Sequence, residues 1–123
     1  MSSGHDPAPF AVSVSRDGNG AIEVSVQGEL DLGSAPELEQ ALERELAAGN
    51  DVLLDLSRVD FIDSTGLRAI VASVRTAKAV GSKLKLKPDL PAHARRLMEI
   101  VGLLPFMPVA DERPGSDPSQ LGD

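Results

Sequence analysis

The chain of 123 residues contains no cysteine, tryptophan or tyrosine, and only three phenylalanines. Without cysteine, a disulfide framework and a thiolate metal site are both excluded, and a reducing compartment is expected. No apolar run approaches the roughly 20 residues of a membrane span, and the N-terminus lacks the basic and apolar regions of a signal peptide. We therefore expect a soluble, cytoplasmic protein without membrane insertion, with a core of Val, Leu, Ile and Ala.

Basic residues are also scarce and form no long run. Twelve Lys and Arg stand against nineteen Asp and Glu, which leaves a formal net charge of −7. This balance disfavours contacts with a phosphate backbone, so we expect no nucleic acid partner. Lys83, Lys85 and Lys87 alternate with leucines and indicate the solvated face of a strand, not a basic patch.

Both ends of the chain are rich in Gly, Pro, Ser and Asp and have little to bury. Segments of this composition bury too little apolar surface to offset the conformational entropy that the chain loses when it becomes ordered. We expect a disordered N-terminus over residues 1–8 and a disordered acidic tail over residues 111–123. One folded domain then spans residues 9–110, a length that suits a single core.

The apolar pattern predicts the element order β-β-α-β-α-β-α, with room for a last short strand at residues 106–109. Alternating residues on both sides of Asp17–Gly20 predict an N-terminal hairpin. Ser34 and Glu37 have the spacing of a capping box at the start of a first helix. Helical spacing predicts three helices, and apolar runs predict two further strands. The helices are expected at residues 35–48, from Ser64 to about Gly81 and from Pro91 to Gly102, and the strands at Val52–Leu56 and Lys83–Lys87.

Polar residues occupy alternate positions of the predicted strands, as Glu23, Ser25 and Gln27 do in the second one. A sheet covered on both faces would need continuous apolar strands, so helices are expected mainly on one face. Right-handed crossovers between neighbouring strands place successive helices on the same side. We predict a single-domain α/β fold with an open mixed sheet of four to five strands, in which a hairpin precedes β-α-β-α-β-α.

The stretch Asp63-Ser64-Thr65-Gly66-Leu67 lies where an apolar strand gives way to an amphipathic helix. A helix start offers unpaired N–H groups and a partial positive charge, which suits an exposed serine that carries a phosphate. If the two preceding strands are adjacent and parallel, Gly28–Asp31 emerges at the same edge of the sheet. Gly66 permits something to approach the backbone closely just after the serine.

Three motifs follow one another along the chain: Gly28-Glu29-Leu30-Asp31, Val52-Leu53-Leu54-Asp55-Leu56 and Phe61-Ile62-Asp63-Ser64-Thr65-Gly66-Leu67. In order and spacing they resemble those of STAS-domain proteins of the anti-sigma factor antagonist type. The similarity extends from Phe10 to about Val109, and the Asp-Ser-Thr-Gly-Leu signature is its most specific part.

The resemblance implies a STAS-like fold and a regulatory role in bacterial transcription. Proteins of that type bind an anti-sigma factor that is a serine kinase, and so free a sigma factor by partner switching, often in a stress response. The kinase ends this state by phosphorylating a serine, and a serine phosphatase reverses it. By resemblance, Ser64 is the phosphoacceptor. The residues implied at the kinase-binding surface are Glu29, Asp31, Asp63, Thr65 and Gly66.

Several of these residues also have simpler interpretations. Ser64 is a preferred helix N-cap, although Asp63 could equally be the cap and leave the Ser64 hydroxyl free. Asp31 could serve only to stabilise a turn. Thr65 could be a second acceptor, but a first-turn helical residue is the favoured interpretation. The signature around Ser64 favours the phosphoacceptor role over the cap.

Motifs of enzymes are absent from the sequence. Ile62 lies two residues before Ser64, so the Gly-x-Ser-x-Gly elbow of hydrolases is not formed, and no P-loop sequence is present. Asp31 and Asp63 could hold Mg²⁺, but two carboxylates alone make a poor site, and His5 and His93 lack converging partners. We expect no enzyme activity, metal or cofactor. The alternative function is a STAS-type regulatory or scaffold subunit of a membrane transporter or stress-signalling complex.

Overall fold

The computed structural model describes residues 9–16, 18–102 and 110. These residues form seven elements in the order predicted from the sequence. The strands are β1 (Ala11–Arg16), β2 (Ile22–Leu30), β3 (Val52–Ile62) and β4 (Leu84–Leu86), and the helices are α1 (Ala35–Ala47), α2 (Ser64–Val80) and α3 (Ala92–Ile100). The predictions made for residues 1–8, 106–109 and 111–123 fall outside the described residues.

The four strands form one mixed sheet in the order β1-β2-β3-β4. β1 pairs antiparallel with β2, whereas β2, β3 and β4 are parallel neighbours. The Ala110 N–H donates to the Leu86 carbonyl at 2.7 Å, so the chain returns to the end of β4. The predicted hairpin followed by β-α-β-α-β-α is confirmed. Because β2 and β3 are parallel neighbours, the segments after them meet at the same edge of the sheet.

β3 is longer than the sequence predicted, because it continues to Ile62 instead of ending at Leu56. Its register against β2 shifts twice, and at each shift β3 contains one residue more than β2. Such bulges break the alternation of a strand, which is why the alternating pattern stops early. The core-facing residues of β3 are spaced first by two and then by three: Val52, Leu54, Leu56, Val59 and Ile62.

One face of the sheet is buried and the other is polar. In β2, Ile22, Val24 and Val26 are buried, whereas the residues between them are only partly covered. A single hydrophobic core joins this face to buried residues of all three helices, among them Leu38 of α1 and Ile70 of α2. The expectation of helices mainly on one face is therefore confirmed.

The polar face holds a charged cluster that spans three strands. Lys87 follows β4, and its Nζ lies 3.5 Å from Glu23 Oε2 of β2 and 3.8 Å from Asp55 Oδ2 of β3. Burial of the Asp55 carboxyl raises its pKa, but hydrogen bonds from Ser57 and the charges of Lys87 and Arg58 outweigh burial, so the net pKa is lowered. Lys83 and Lys85 are exposed, as expected for the wet side of a strand.

Candidate partner-binding site

The junction between β3 and α2 is capped by Asp63, not by Ser64. Asp63 has extended backbone angles, and its Oδ1 accepts a hydrogen bond from the Gly66 N–H at 2.9 Å. Ser64 is the first helical residue and is exposed. Among the described residues no group is hydrogen-bonded to its hydroxyl. Because a neighbour satisfies the helix end, the Ser64 hydroxyl remains available for chemistry.

Gly66 is buried against the end of β2. A Cβ at this position would lie 2.5 Å from the Leu30 carbonyl oxygen and 2.8 Å from Leu30 Cγ. The Asp63 N–H donates to the same carbonyl at 3.2 Å. The backbone that approaches Gly66 is therefore that of Leu30 in the same chain, and the place of Gly66 in the kinase-binding surface stays a prediction. Gly66 positions the helix start that presents Ser64.

Asp31 stabilises the loop between β2 and α1. Its Oδ1 accepts from the Gly33 N–H at 3.0 Å, and its carbonyl accepts from the N–H groups of Ser34 and Ala35 at 3.2 and 2.8 Å. These are the contacts of an Asp that holds a turn, the simpler of its two interpretations. A turn role does not conflict with partner contact, because Asp31 is only partly buried.

Ser34 does not form the predicted capping box. Its backbone is helical, with φ −109° and ψ −20°, and its side chain makes no cap hydrogen bond. Its hydroxyl turns back toward β2, where it donates to the Glu29 carbonyl at 2.7 Å and accepts from the Asp31 N–H at 3.0 Å. The hydroxyl is thus used to fix the loop that carries Asp31.

Two large apolar side chains near the junction are exposed and were not among the predicted site residues. Leu32 follows Asp31 and is 74% exposed, and Phe61 precedes the end of β3 and is 49% exposed. Phe61 pairs in register with Glu29, which is also exposed. The sequence signal for Leu32 was an apolar residue between Asp31 and Gly33 that belonged to no periodic segment. Exposed apolar side chains beside polar ones are typical of protein interfaces.

A groove of about 330 Å³ lies between the N-terminal parts of α1 and α2. Thr65 is half-buried on its wall, together with Leu32 and Arg68. The remaining lining residues are Ala35, Pro36, Glu39, Ala69 and Ala72. Thr65 and Ser64 therefore differ in access, because only Ser64 is exposed on the outside of the helix start.

The sheet edge brings together all the residues predicted at the site. Glu29 and Asp31 lie at the end of β2, and Asp63, Ser64 and Thr65 lie at the end of β3, whose last residue pairs with Leu30. Within residues 9–16, 18–102 and 110, no group of three or more His, Asp or Glu side chains could hold a metal ion. His93 instead bonds through Nε2 to the Val59 carbonyl at 2.9 Å and joins α3 to β3.

Fold and site together define a class of small α/β domain, in which a mixed sheet with helices on one face presents a serine at a helix start. A protein-family model described as "Mlab, STAS domain" matches residues 13–105. The chain belongs to the STAS domain family.

Curated relatives are similar over most of the chain. The anti-sigma-B factor antagonist of Bacillus subtilis is 34% identical over 94 residues, which cover 76% of this chain and 85% of that protein. The anti-sigma-B factor antagonist of Listeria monocytogenes is 36% identical over 83 residues, 67% of this chain and 72% of that protein. An anti-sigma factor antagonist from Mycobacterium paratuberculosis has a solved structure with a TM-score of 0.73 and 28% identity, covering 95% of this chain and 96% of the other.

No helix in the described part of the chain is both long enough and apolar enough to cross a membrane.

Proposed function

We propose that this protein is an anti-sigma factor antagonist that binds an anti-sigma factor with serine kinase activity and is released when Ser64 is phosphorylated. The main support is the geometry of the junction: Ser64 is exposed at a helix start whose cap is supplied by Asp63. The names of the relatives, which are 34% and 36% identical over the aligned residues, point to the same class of partner.

The proposed kinase-binding surface consists of the exposed and partly buried groups around Ser64. Glu29, Asp31 and Asp63 supply the acidic part, and Thr65 lies on the adjoining groove. Leu32 and Phe61 add the apolar contacts that the sequence alone did not suggest. A surface of this kind combines apolar anchors with charges that set orientation and partner choice.

Phosphorylation of Ser64 needs no rearrangement of the helix start. A bond forms between Ser64 Oγ and the γ-phosphorus of ATP, while the bond from that phosphorus to the β,γ-bridging oxygen breaks and ADP leaves. The hydroxyl proton passes to a base of the kinase, because no group in the described part of the chain is hydrogen-bonded to the Ser64 hydroxyl. A phosphatase would reverse the state by transferring the phosphoryl group to water.

The phosphate would act through charge. Phosphoserine carries about −1.5 to −2 charge at neutral pH, and Asp63 and Asp31 lie at the same sheet edge. Like charges within an interface cost on the order of several kcal/mol, and each 1.4 kcal/mol changes affinity about tenfold. A partner that covers the junction would have to bury this added charge beside Asp63 and Asp31, and we expect that cost to release it without refolding.

The direct test is intact mass spectrometry after incubation with the candidate anti-sigma kinase and Mg-ATP, with peptide mapping of the added phosphate. We expect one phosphate on Ser64 and loss of kinase binding. Ser64→Ala should bind with unchanged affinity and remain unmodified, and Thr65→Ala, the matched hydroxyl control, should still be modified. Ser64→Asp should bind at least about tenfold more weakly, since it adds charge at the junction.

Two results would contradict the proposal in different ways. If Ser64→Asp binds as tightly as the wild type, release does not depend on charge. If a stable complex forms but no phosphate is added, the chain is a STAS binding module without this switch. That second result would favour the alternative, a regulatory or scaffold subunit of a transporter or stress-signalling complex.

A further inference from the structure

Arg68 lies one helical turn beyond Ser64 on α2. Residues four apart are neighbours on one face of a helix, and their Cβ atoms are about 5–6 Å apart. Long side chains in a helix lean toward its N-terminus, so the side chain of Arg68 covers the turn that begins at Ser64. Both residues are exposed.

Arg68 has no charged partner in the described part of the chain. The two ion pairs found there both involve Lys87, on the opposite face of the sheet. Glu39 of α1 lines the same groove as Arg68 but forms no ion pair with it. Asp63, the acid nearest in sequence, is hydrogen-bonded to the Gly66 N–H. The guanidinium is thus free to bind an anion that is added later.

We propose that Arg68 is the residue that holds the phosphate of phosphorylated Ser64. This proposal rests on the proposed function, in which Ser64 is the phosphoacceptor. Guanidinium and phosphate form bidentate, charge-assisted hydrogen bonds, which are stronger than those of a neutral pair. The exposed face of α2 offers this geometry at the (i, i+4) spacing, with the phosphoserine on the N-terminal side, where the helix dipole also favours negative charge.

Pairing of Arg68 with the phosphate would add to the effect of phosphorylation on partner binding. Asp31 and Asp63 repel the phosphate from the sheet edge, whereas Arg68, on the wall of the groove between α1 and α2, attracts it. Any contact made in the free phosphorylated protein but not in the complex weakens binding of the partner. Arg68 therefore stabilises the released state, and phosphorylation also withdraws its positive charge from the surface around the groove.

The test uses the full chain with phosphoserine incorporated at position 64 during translation, so that no kinase is required. Phosphorus NMR measures the second pKa of the phosphate, which is about 6 for free phosphoserine. We expect Arg68→Gln to raise this pKa by about 0.3–0.6 pH units, because the guanidinium favours the dianion. Arg68→Lys should fall between the wild type and Arg68→Gln, since lysine keeps the charge but loses the bidentate geometry.

Arg75→Gln is the matched control. Arg75 is exposed on α2 eleven residues after Ser64, on the same side of the helix but about 16 Å further along its axis. Screening at that distance should leave the phosphate pKa within about 0.1 unit. Circular dichroism of each variant checks that α2 is intact.

Two outcomes would overturn the role of Arg68. An unchanged phosphate pKa in Arg68→Gln would show that no pair forms. Equal pKa shifts in Arg68→Gln and Arg75→Gln would show that the phosphate responds only to the overall charge of the helix. Neither outcome bears on whether a kinase modifies Ser64, which the mass spectrometry above decides separately.

Discussion

At the scale of single residues, Gly66 decides whether the helix start can sit against β2. Gly66 is buried, and a side chain on its Cα would overlap the Leu30 carbonyl oxygen. The backbone angles of Gly66 do not require glycine, because its φ is not positive. Glycine is needed because Leu30 leaves no room for a Cβ. The close contact between the start of α2 and the end of β2 fixes the position of Ser64.

Gly66→Ala should therefore destabilise the protein. The added methyl group must displace Leu30 or the start of α2, and overpacking of this kind costs about 1–3 kcal/mol of unfolding free energy. Urea denaturation would measure the loss. Gly18→Ala serves as the control, because a Cβ at Gly18 meets no atom within 4 Å. Equal stability of the two variants would mean that the close contact with Leu30 is not needed.

At the scale of elements, the loop between β2 and α1 is fixed by Ser34. Its hydroxyl links the Glu29 carbonyl to the Asp31 N–H, so the end of β2, the acidic loop and the first turn of α1 share one side chain. Leu32 is presented from the middle of this loop and is mostly exposed. The shape of the acidic part of the proposed surface thus depends on a residue that is itself buried.

Ser34→Ala should loosen this loop. The contacts of the hydroxyl with the Glu29 carbonyl, the Asp31 N–H and Asp31 Oδ1 are lost, and the Asp31 N–H loses its partner, which costs about 1 kcal/mol. We also expect weaker binding of the anti-sigma partner, measured by calorimetry, since the loop must then be ordered on binding. Ser13→Ala, at an exposed serine of β1, is the control. Unchanged stability and affinity in Ser34→Ala would remove the loop-fixing role.

At the scale of the whole molecule, the sheet is tied together on its polar face by Asp55, Glu23 and Lys87. Asp55 lies in the central strand β3, and its carboxyl pKa is below the ordinary value of 3.8. A group whose pKa is lower in the folded protein than in the unfolded chain binds protons better when unfolded. Its contribution to stability is present above the unfolded pKa and is lost as the pH falls through the folded pKa.

Asp55→Asn should lower the unfolding free energy at neutral pH by about 0.5–1 kcal/mol, the range of a partly exposed ion pair. Its stability should also fall less steeply than that of the wild type below about pH 4, because the titrating carboxyl is gone. Thermal unfolding as a function of pH would measure both effects. Asp60→Asn, at an exposed position of β3, controls for net charge. Parallel pH curves for wild type and Asp55→Asn would refute the linkage.

Prediction from sequence succeeded where the pattern is local. The alternation in β2 and the apolar stripe of α2 gave those elements within a few residues, because each pattern repeats with the period of its own backbone. It failed after Leu56 in β3, since bulges arise from pairing with β2 and leave no regular period. It also failed at Ser34, whose hydroxyl had a tertiary alternative to the cap.

By itself the sequence determined the element order, the one-sided core and the placing of Ser64 at a helix start, because these follow from residue type and periodicity along the chain. Only the tertiary structure decided that Asp63 is the cap, that Gly66 packs on Leu30 and that Leu32 and Phe61 are exposed. These properties depend on which atoms from distant segments meet when β2 and β3 pair. The spacing of residues along the sequence does not determine the distances between those atoms.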